Sequence, residues 1–305
     1  MKITVIGLGV QGKKRKDILG NYCTSTVDPY SNLASYKRIE DVPLISFDAA
    51  FVCTPDSVKL EIIEYLVRNR KHVLCEKPLS LSSSQDFDKL EILANHQKIT
   101  LYTAYNHNFE GSITEAKEII AGNFLGHIYQ IRIFYGNGTA QLVSNSDWRD
   151  SGLGIIPDLG SHCLAIIKYW FPNLDFTLKL ANFDRFETKA PDNAILISTE
   201  SNPRILIELS FCSWKNNFHA EIIGEKGSIG IYGLSKWGEA KLIRQKRILP
   251  SGIPTENIRV FESGDKTWSL EQNYFFDLIT RKSPTKLTTD KFIYEKLKFS
   301  EFVKI

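Results

Sequence analysis

Residues 2–19 constrain the fold more than any other stretch of the chain. Residues 2–6, rich in Ile and Val, read as a buried strand, and they run directly into Gly7-Leu8-Gly9-Val10-Gln11-Gly12. A helix is expected to follow to Leu19. Glycines at this spacing have separate physical duties. The first makes a tight turn, the second lets backbone approach a pyrophosphate, and the third lets helix and strand pack closely. The free N–H groups at the helix start can then bind phosphates. A strand, this turn and a helix together predict a parallel βα unit that takes a dinucleotide.

The pattern continues. Residues 24–27 form a second short strand ending at Asp28, which lies 16 residues after Gly12. A carboxylate there accepts hydrogen bonds from ribose hydroxyls and repels a 2′-phosphate. Pro29 and Tyr30 follow, with no adjacent Arg to hold such a phosphate. NAD is therefore expected rather than NADP. Residues 49–53 form a buried strand bounded by Thr54 and Pro55, and either Thr54 or Asp56 is placed to cap the helix over 56–70. Further strands are expected over 72–75 and 99–103, with a helix from the Ser82-Ser83-Ser84 run between them. Short apolar strands alternating with amphipathic helices predict a doubly wound parallel sheet, a Rossmann domain over residues 1–106. The cofactor contacts expected are Gly7, Gly9, Val10, Gln11, Gly12, Asp28, Thr54, Pro55, Glu76 and Lys77.

Residues 107–305 have a different rhythm. A helix over 113–121, a strand over 127–135, a Gly/Ser/Asn-rich loop over 136–145 and a helix over 157–171 come first. Strand-like runs then follow at 176–180, 194–199, 204–212, 219–223 and 228–232. Consecutive strands with few helices predict a second α/β domain with a large, mostly antiparallel open sheet. One face of that sheet is expected to be apolar enough to need a partner, with Leu196, Leu206 and Phe211 on it, giving a homodimer or homotetramer.

Two further motifs carry chemistry. Val73-Leu74-Cys75 ends in Glu76-Lys77-Pro78, which sets an acid and a lysine at the carboxyl edge of the parallel sheet, where open α/β folds bind ligands. Pro78 is placed to fix an unusual backbone geometry there. In Gly152-Leu153-Gly154-Ile155-Ile156-Pro157-Asp158-Leu159-Gly160-Ser161-His162, Asp158 and His162 stand four apart and share a helix face near a glycine loop that a ligand could approach. An imidazole there can exchange a proton with an alcohol, and a carboxylate beside it can orient it.

With those motifs in this order, the chain resembles the Gfo/Idh/MocA oxidoreductases, which include glucose–fructose oxidoreductase and inositol dehydrogenase. The resemblance rests on GLGVQG at 7–12, CTPDSVKLEII at 53–63, CEKPLS at 75–80, AYNHNF at 104–109, GNFLGHI at 122–128, DWRDSGLGIIPDLGSH at 147–162 and EIIGEKGSI at 221–229. It implies that Lys77, Asp158 and His162 are catalytic. Substrate contacts are expected from Lys77, Asn106, His107, Trp148, Arg149, Asp158 and His162. The implied reaction is hydride transfer between nicotinamide and a sugar, cyclitol or sugar-derivative hydroxyl or carbonyl. Two alternatives share the fold: an enzyme that retains NAD and uses transient oxidation to eliminate or hydrolyse a glycoside, and a non-catalytic ligand sensor. Members often carry Arg at the place of Asn108 and an acid at the place of Ala165, so this chain departs from the pattern near its substrate.

Composition excludes other classes. The net charge of +3 is too small to argue for nucleic acid, and the basic run 13–16 is expected to be a solvated helix face. No stretch approaches the roughly 18 apolar residues that span a bilayer, and residues 1–9 lack the long apolar core of a secretory leader. The five cysteines form no CxxC pair, so free thiols in the cytoplasm and no metal site are expected.

Overall fold

The computed structural model describes residues 1–200 and 202–298; the end of the expected second domain, 299–305, lies outside the described residues. The chain forms two compact units. The first comprises Met1–Asn106 and Trp268–Glu295, and the second begins at His107 and runs to Thr267, resuming at Lys296.

The first unit carries five parallel strands: β1 (Ile3–Ile6), β2 (Cys23–Val27), β3 (Ala49–Val52), β4 (His72–Glu76) and β5 (Leu101–Ala104). Their order is β2-β1-β3-β4-β5. Helices α1 (Val10–Leu19), α2 (Asp56–Arg68) and α3 (Ser84–His96) make the crossovers. The strands are buried on both faces, which is why they read as apolar runs rather than alternations. Ile6, Val52, Val73 and Cys75 pack with Ile63 of α2 and Phe87 of α3. Val5, Ala49, Phe51 and Leu74 face the other way and pack with Leu19 of α1 and with Phe275.

The second unit opens with α4 (Gly111–Ala121), β6 (Ile128–Gly136), α5 (Ala140–Ser144) and α6 (Ile155–Trp170). The expected loop after β6 therefore contains a short helix, anchored by buried Ala140 and Val143. Seven strands follow: β7 (Leu178–Asp184), β8 (Asn193–Ser198), β9 (Arg204–Ser210), β10 (Asn217–Gly224), β11 (Gly227–Tyr232), β12 (Ala240–Ile248) and β13 (Gly252–Phe261). With β6 they form an eight-stranded sheet in the order β13-β12-β11-β10-β6-β9-β8-β7. Only β6 and β9 pair in parallel.

The inner face of this sheet packs on α6, so closely that a Cβ on Gly160 of that helix would lie 3.3 Å from the Leu209 side chain. Leu196 and Phe211 lie buried on the inner face, so they do not supply the apolar outer face expected of them. Leu206 does face outward as expected, and the strand period of two sends Ile195 and Ile197 to the same side. These share their face with Gln130, Arg132 and Glu221, which makes it mixed rather than apolar.

Two helices close the described chain, α7 (Thr267–Thr280) and α8 (Thr288–Lys296). Residues 268–295, which the sequence reading placed in the second domain, group with the first unit. The physical cause is the apolar side of α7: Phe275 sits edge-on to Phe51, with ring centroids 5.7 Å apart. No helix among the described residues is long and apolar enough to cross a membrane.

Candidate functional site

In the first unit the carboxyl ends of β1, β3 and β4 lie side by side and carry the glycine turn, Thr54 and Glu76-Lys77. The glycines divide their work as the sequence implies. Gly7 has φ +89°, and a Cβ there would lie 2.6 Å from the Cys53 carbonyl oxygen. A Cβ on Gly12 would lie 1.7 Å from the Gly7 carbonyl oxygen, so only glycine lets α1 start this close to the turn. At Gly9 an added Cβ meets nothing within 4 Å. Gly9 is also the N-cap of α1, and no side chain caps that helix. Val10 and Gln11 are exposed on its first turn.

Asp28 ends β2 as expected. Its Oδ2 accepts from Leu8 N at 2.7 Å, and its Oδ1 accepts from Tyr30 N and Ser31 N at 2.8 Å each. Partial burial works against ionisation, but these three N–H donors and Lys37 outweigh it and lower the Asp28 pKa. Neither Thr54 nor Asp56 caps α2. Pro55 occupies the cap position, and Asp56 instead accepts from Lys59 at 2.5 Å. The Thr54 hydroxyl is buried and has no hydrogen-bond partner among the described residues. An uncapped helix start, open space at Gly9 and an orphaned hydroxyl on the neighbouring strand end suit a phosphate-bearing dinucleotide.

The turn after β4 is braced from both sides. Arg15, buried to 1% exposure, donates through Nε to Glu76 Oε1 at 2.9 Å. Lys59 donates to the Pro78 carbonyl at 2.9 Å. Between these braces lies Lys77, half-buried, and its peptide bond to Pro78 is cis. Arg15 belongs to the basic run expected to be solvated. Lys13 and Lys16 are exposed as expected, but Arg15 turns inward because two glutamates meet it there, the second being Glu271. Asn106 is buried at the end of this unit's first segment.

In the second unit His162 lies on α6 and is only 6% exposed. Its ring packs closely against His107, tilted, with centroids 3.8 Å apart and planes 35° from parallel. His107 Nε2 is 3.0 Å from the Tyr135 hydroxyl and 3.0 Å from Lys236 Nζ. Burial, with the charge of Asp158 adding to it, pushes the Tyr135 phenol well above its ordinary pKa, so it stays protonated. Glu110 fixes the Lys236 turn: its carboxylate accepts from Ser235 N at 3.0 Å and from the Ser235 hydroxyl.

Asp158 is one helical turn before His162, and its Oδ2 accepts from Arg149 Nη2 at 2.9 Å. Trp148 beside Arg149 is 61% exposed. The glycine loop before α6 is less open than expected. A Cβ on Gly154 would lie 2.3 Å from the Pro191 carbonyl oxygen, so that glycine serves chain packing. Gly152, at φ +57°, has open space around it.

Residues 4–105 match the profile of an oxidoreductase family with an NAD-binding Rossmann fold, and residues 113–230 match the GFO/IDH/MocA C-terminal domain. The chain belongs to the Gfo/Idh/MocA oxidoreductase family. An uncharacterised oxidoreductase of Schizosaccharomyces pombe is 27% identical over 150 residues, which is 47% of this chain and 40% of that protein. The myo-inositol 2-dehydrogenase of Thermotoga maritima is 30% identical over 98 residues, covering 32% of this chain and 28% of its own. The chain thus spans less than half the length of either. A crystal structure of an inositol dehydrogenase homologue from Azotobacter vinelandii, complexed with NADH and myo-inositol, shares the fold at TM-score 0.73 and 15% identity, over 96% of this chain and 92% of that one.

Within this Gfo/Idh/MocA chain, sequence reasoning missed Tyr135, Lys236, Glu110 and Arg15. Tyr135 looked like one more inward residue of an alternating strand, and Lys236 like an ordinary loop lysine. A signal was available for Arg15, since it lies three residues after Gly12 on the side of the helix that packs on the sheet.

Proposed function

We propose that the chain is an NAD-dependent dehydrogenase or reductase acting on a hydroxyl or carbonyl of a sugar, cyclitol or sugar derivative. The observation that carries this reading is the braced turn at the end of β4. Arg15 and Lys59 hold Glu76 and the Pro78 carbonyl and leave Lys77 between two fixed points. A lysine so positioned on the cofactor edge of a parallel sheet suits contact with a reacting oxygen.

A bound nicotinamide supplies or accepts the hydride. Gly7 to Gly12 and the Thr54 hydroxyl hold the dinucleotide's phosphates and neighbouring groups, and ionised Asp28 accepts from the adenosine ribose. Lys77 polarises the substrate oxygen. His162 takes the hydroxyl proton during oxidation and returns it during reduction. Asp158, tied to Arg149, carries the negative charge on the same helix. Asn106, Trp148 and Arg149 contribute to substrate recognition. The myo-inositol in the names of the Thermotoga relative and the Azotobacter structure supports a polyhydroxylated substrate.

The test is a screen of the purified protein against sugars and cyclitols with NAD, following nicotinamide absorbance. Net NADH formation with at least one polyol is expected. Tight NAD binding with no NADH formation across the panel contradicts dehydrogenation.

A further inference from the structure

His107 and His162 form a close, tilted pair of imidazoles buried in the second unit, and their environments differ. His107 Nε2 faces the Lys236 ammonium and the Tyr135 hydroxyl, each at 3.0 Å. An ammonium has three donors and no acceptor, so the nitrogen it meets must be the acceptor. The proton of His107 is then on Nδ1, and the ring is neutral.

We propose that Lys236 is a positioning residue. It holds His107 as the neutral Nδ1–H tautomer and so makes His162 the member of the pair that takes up a proton. The assignment of a proton-transfer role to His162 rests on the function proposed above. The tautomer of His107 does not.

Protonating His107 at Nε2 would set an N–H against the hydrogens of Lys236, and a positive ring beside a positive ammonium. The Tyr135 hydroxyl, though it stays protonated, could turn its oxygen to accept from such an N–H, but the ammonium could not. Two imidazolium rings with centroids 3.8 Å apart also repel, so the pair carries at most one proton near neutral pH. Lys236 settles which ring carries it.

The other charged groups nearby are already engaged. Glu110 accepts from the Ser235 and Lys236 turn. Asp158 pairs with Arg149 a turn before His162. Burial pushes the Cys163 thiol far above its ordinary pKa, so it adds no charge. The ammonium itself stands 4.4 Å over the Trp237 ring, and together with Glu110 this fixes its position.

The test is long-range proton–nitrogen NMR of the histidine rings in the full-length protein. Spectra would be taken from about pH 5 to about pH 9, the range over which imidazoles titrate. Rings are assigned by replacing one histidine at a time. In the wild type, His107 should keep an unprotonated Nε2 throughout while His162 titrates. In Lys236→Met the charge is gone but the stem remains. His107 should then begin to titrate, and the midpoint of the pair should rise by about one pH unit, as expected when a neighbouring like charge is removed. Lys236→Arg should restore the wild-type pattern, since a guanidinium also only donates.

A wild-type His107 that carries its proton on Nε2, or that becomes an imidazolium, overturns the proposal. So does a Lys236→Met protein with an unchanged His107. If Lys236→Met fails to fold, the wild-type tautomer and the Lys236→Arg spectrum still decide. Loss of the His162 catalytic reading would show in turnover alone and would leave these spectra as they are.

Discussion

Arg15 and Glu76 are 61 residues apart in sequence, and the Arg15 Nε donates to the Glu76 carboxylate at 2.9 Å. This bond ties the helix that follows the glycine turn to the Glu-Lys-Pro turn at the end of β4. The same guanidinium donates to Glu271 at 2.6 Å and lies 4.2 Å over the Trp268 ring. Burial disfavours its charge, but the two carboxylates outweigh that and raise its pKa further.

Removing one member of a buried ionic cluster costs more than the cluster contributes, because it strands the charges left behind. Arg15→Met should therefore destabilise the protein by about 3–5 kcal/mol in urea unfolding. Adding Glu271→Gln to Arg15→Met should recover part of that loss, since it removes a stranded carboxylate. A double variant no more stable than the single one would show that stranded charge is not the cause.

Glu271 also predicts a pH dependence. Burial pushes its carboxyl up from 4.5 to about 7, with Arg15 opposing the rise. Burial likewise pushes Asp290 up to about 6, against hydrogen bonds from Thr103 and Tyr105. A raised folded-state pKa means that the native protein holds the proton more tightly than the unfolded chain. Its stabilising contribution is full below the unfolded pKa and is lost as pH rises through the folded one. Between about pH 5 and about pH 8 the stability advantage of wild type over Glu271→Gln should therefore shrink. Urea titrations of both proteins across that range measure it, and an advantage that grows with pH would contradict the assignment.

The glycine turn separates folding from binding. Gly12→Ala puts a methyl group 1.7 Å from the Gly7 carbonyl oxygen, and the turn must open. A loss of about 3 kcal/mol, at the upper end for overpacking, is expected together with loss of NAD binding. Gly9→Ala meets nothing within 4 Å in the protein, so its melting temperature should stay near wild type while NAD affinity falls. Thermal melts and cofactor titrations of the two variants should differ in this way. Unchanged NAD affinity in Gly9→Ala would remove the phosphate cradle from that side of the turn.

The role proposed for Asp28 predicts the choice of cofactor. Three backbone N–H groups keep Asp28 ionised and tie it to the fingerprint turn, so a 2′-phosphate placed there would meet a fixed negative charge. NAD should bind at least about tenfold more tightly than NADP, a difference of ~1.4 kcal/mol. Asp28→Ser combined with Pro29→Arg should narrow or reverse the ratio. Fluorescence titration measures it, and equal affinities in the wild type would contradict this role.

Local signals were readable in the sequence, and convergent ones were not. The glycine turn, the five strands of the first sheet and α6 each announce themselves within about ten residues, through spacing and period. The candidate cluster of the second unit draws on His107, Tyr135, His162 and Lys236, which meet only once β6, α6 and the turn after β11 have packed. Strand β13 escaped notice because every residue from Gly252 to Val260 is exposed, which leaves no alternation to read. Helix α7 gives no hint in its own sequence that it joins the first unit. That follows from Phe275 and Glu271 finding Phe51 and Arg15, more than 200 residues earlier.

Lys77 and His162 are proposed to act on the substrate while Gly7 to Gly12 and Asp28 hold the cofactor. The most direct measurement is kcat against pH for Lys77→Ala and His162→Ala on a confirmed polyol substrate, with NAD binding titrated in parallel. NAD affinity should stay within about twofold of wild type, and turnover should fall by about 10²–10⁴-fold in each variant. His162→Ala should also lose the change in rate near neutral pH, where an imidazole titrates. Wild-type turnover in His162→Ala, or a loss of NAD binding that accounts for the fall in rate, would contradict the account.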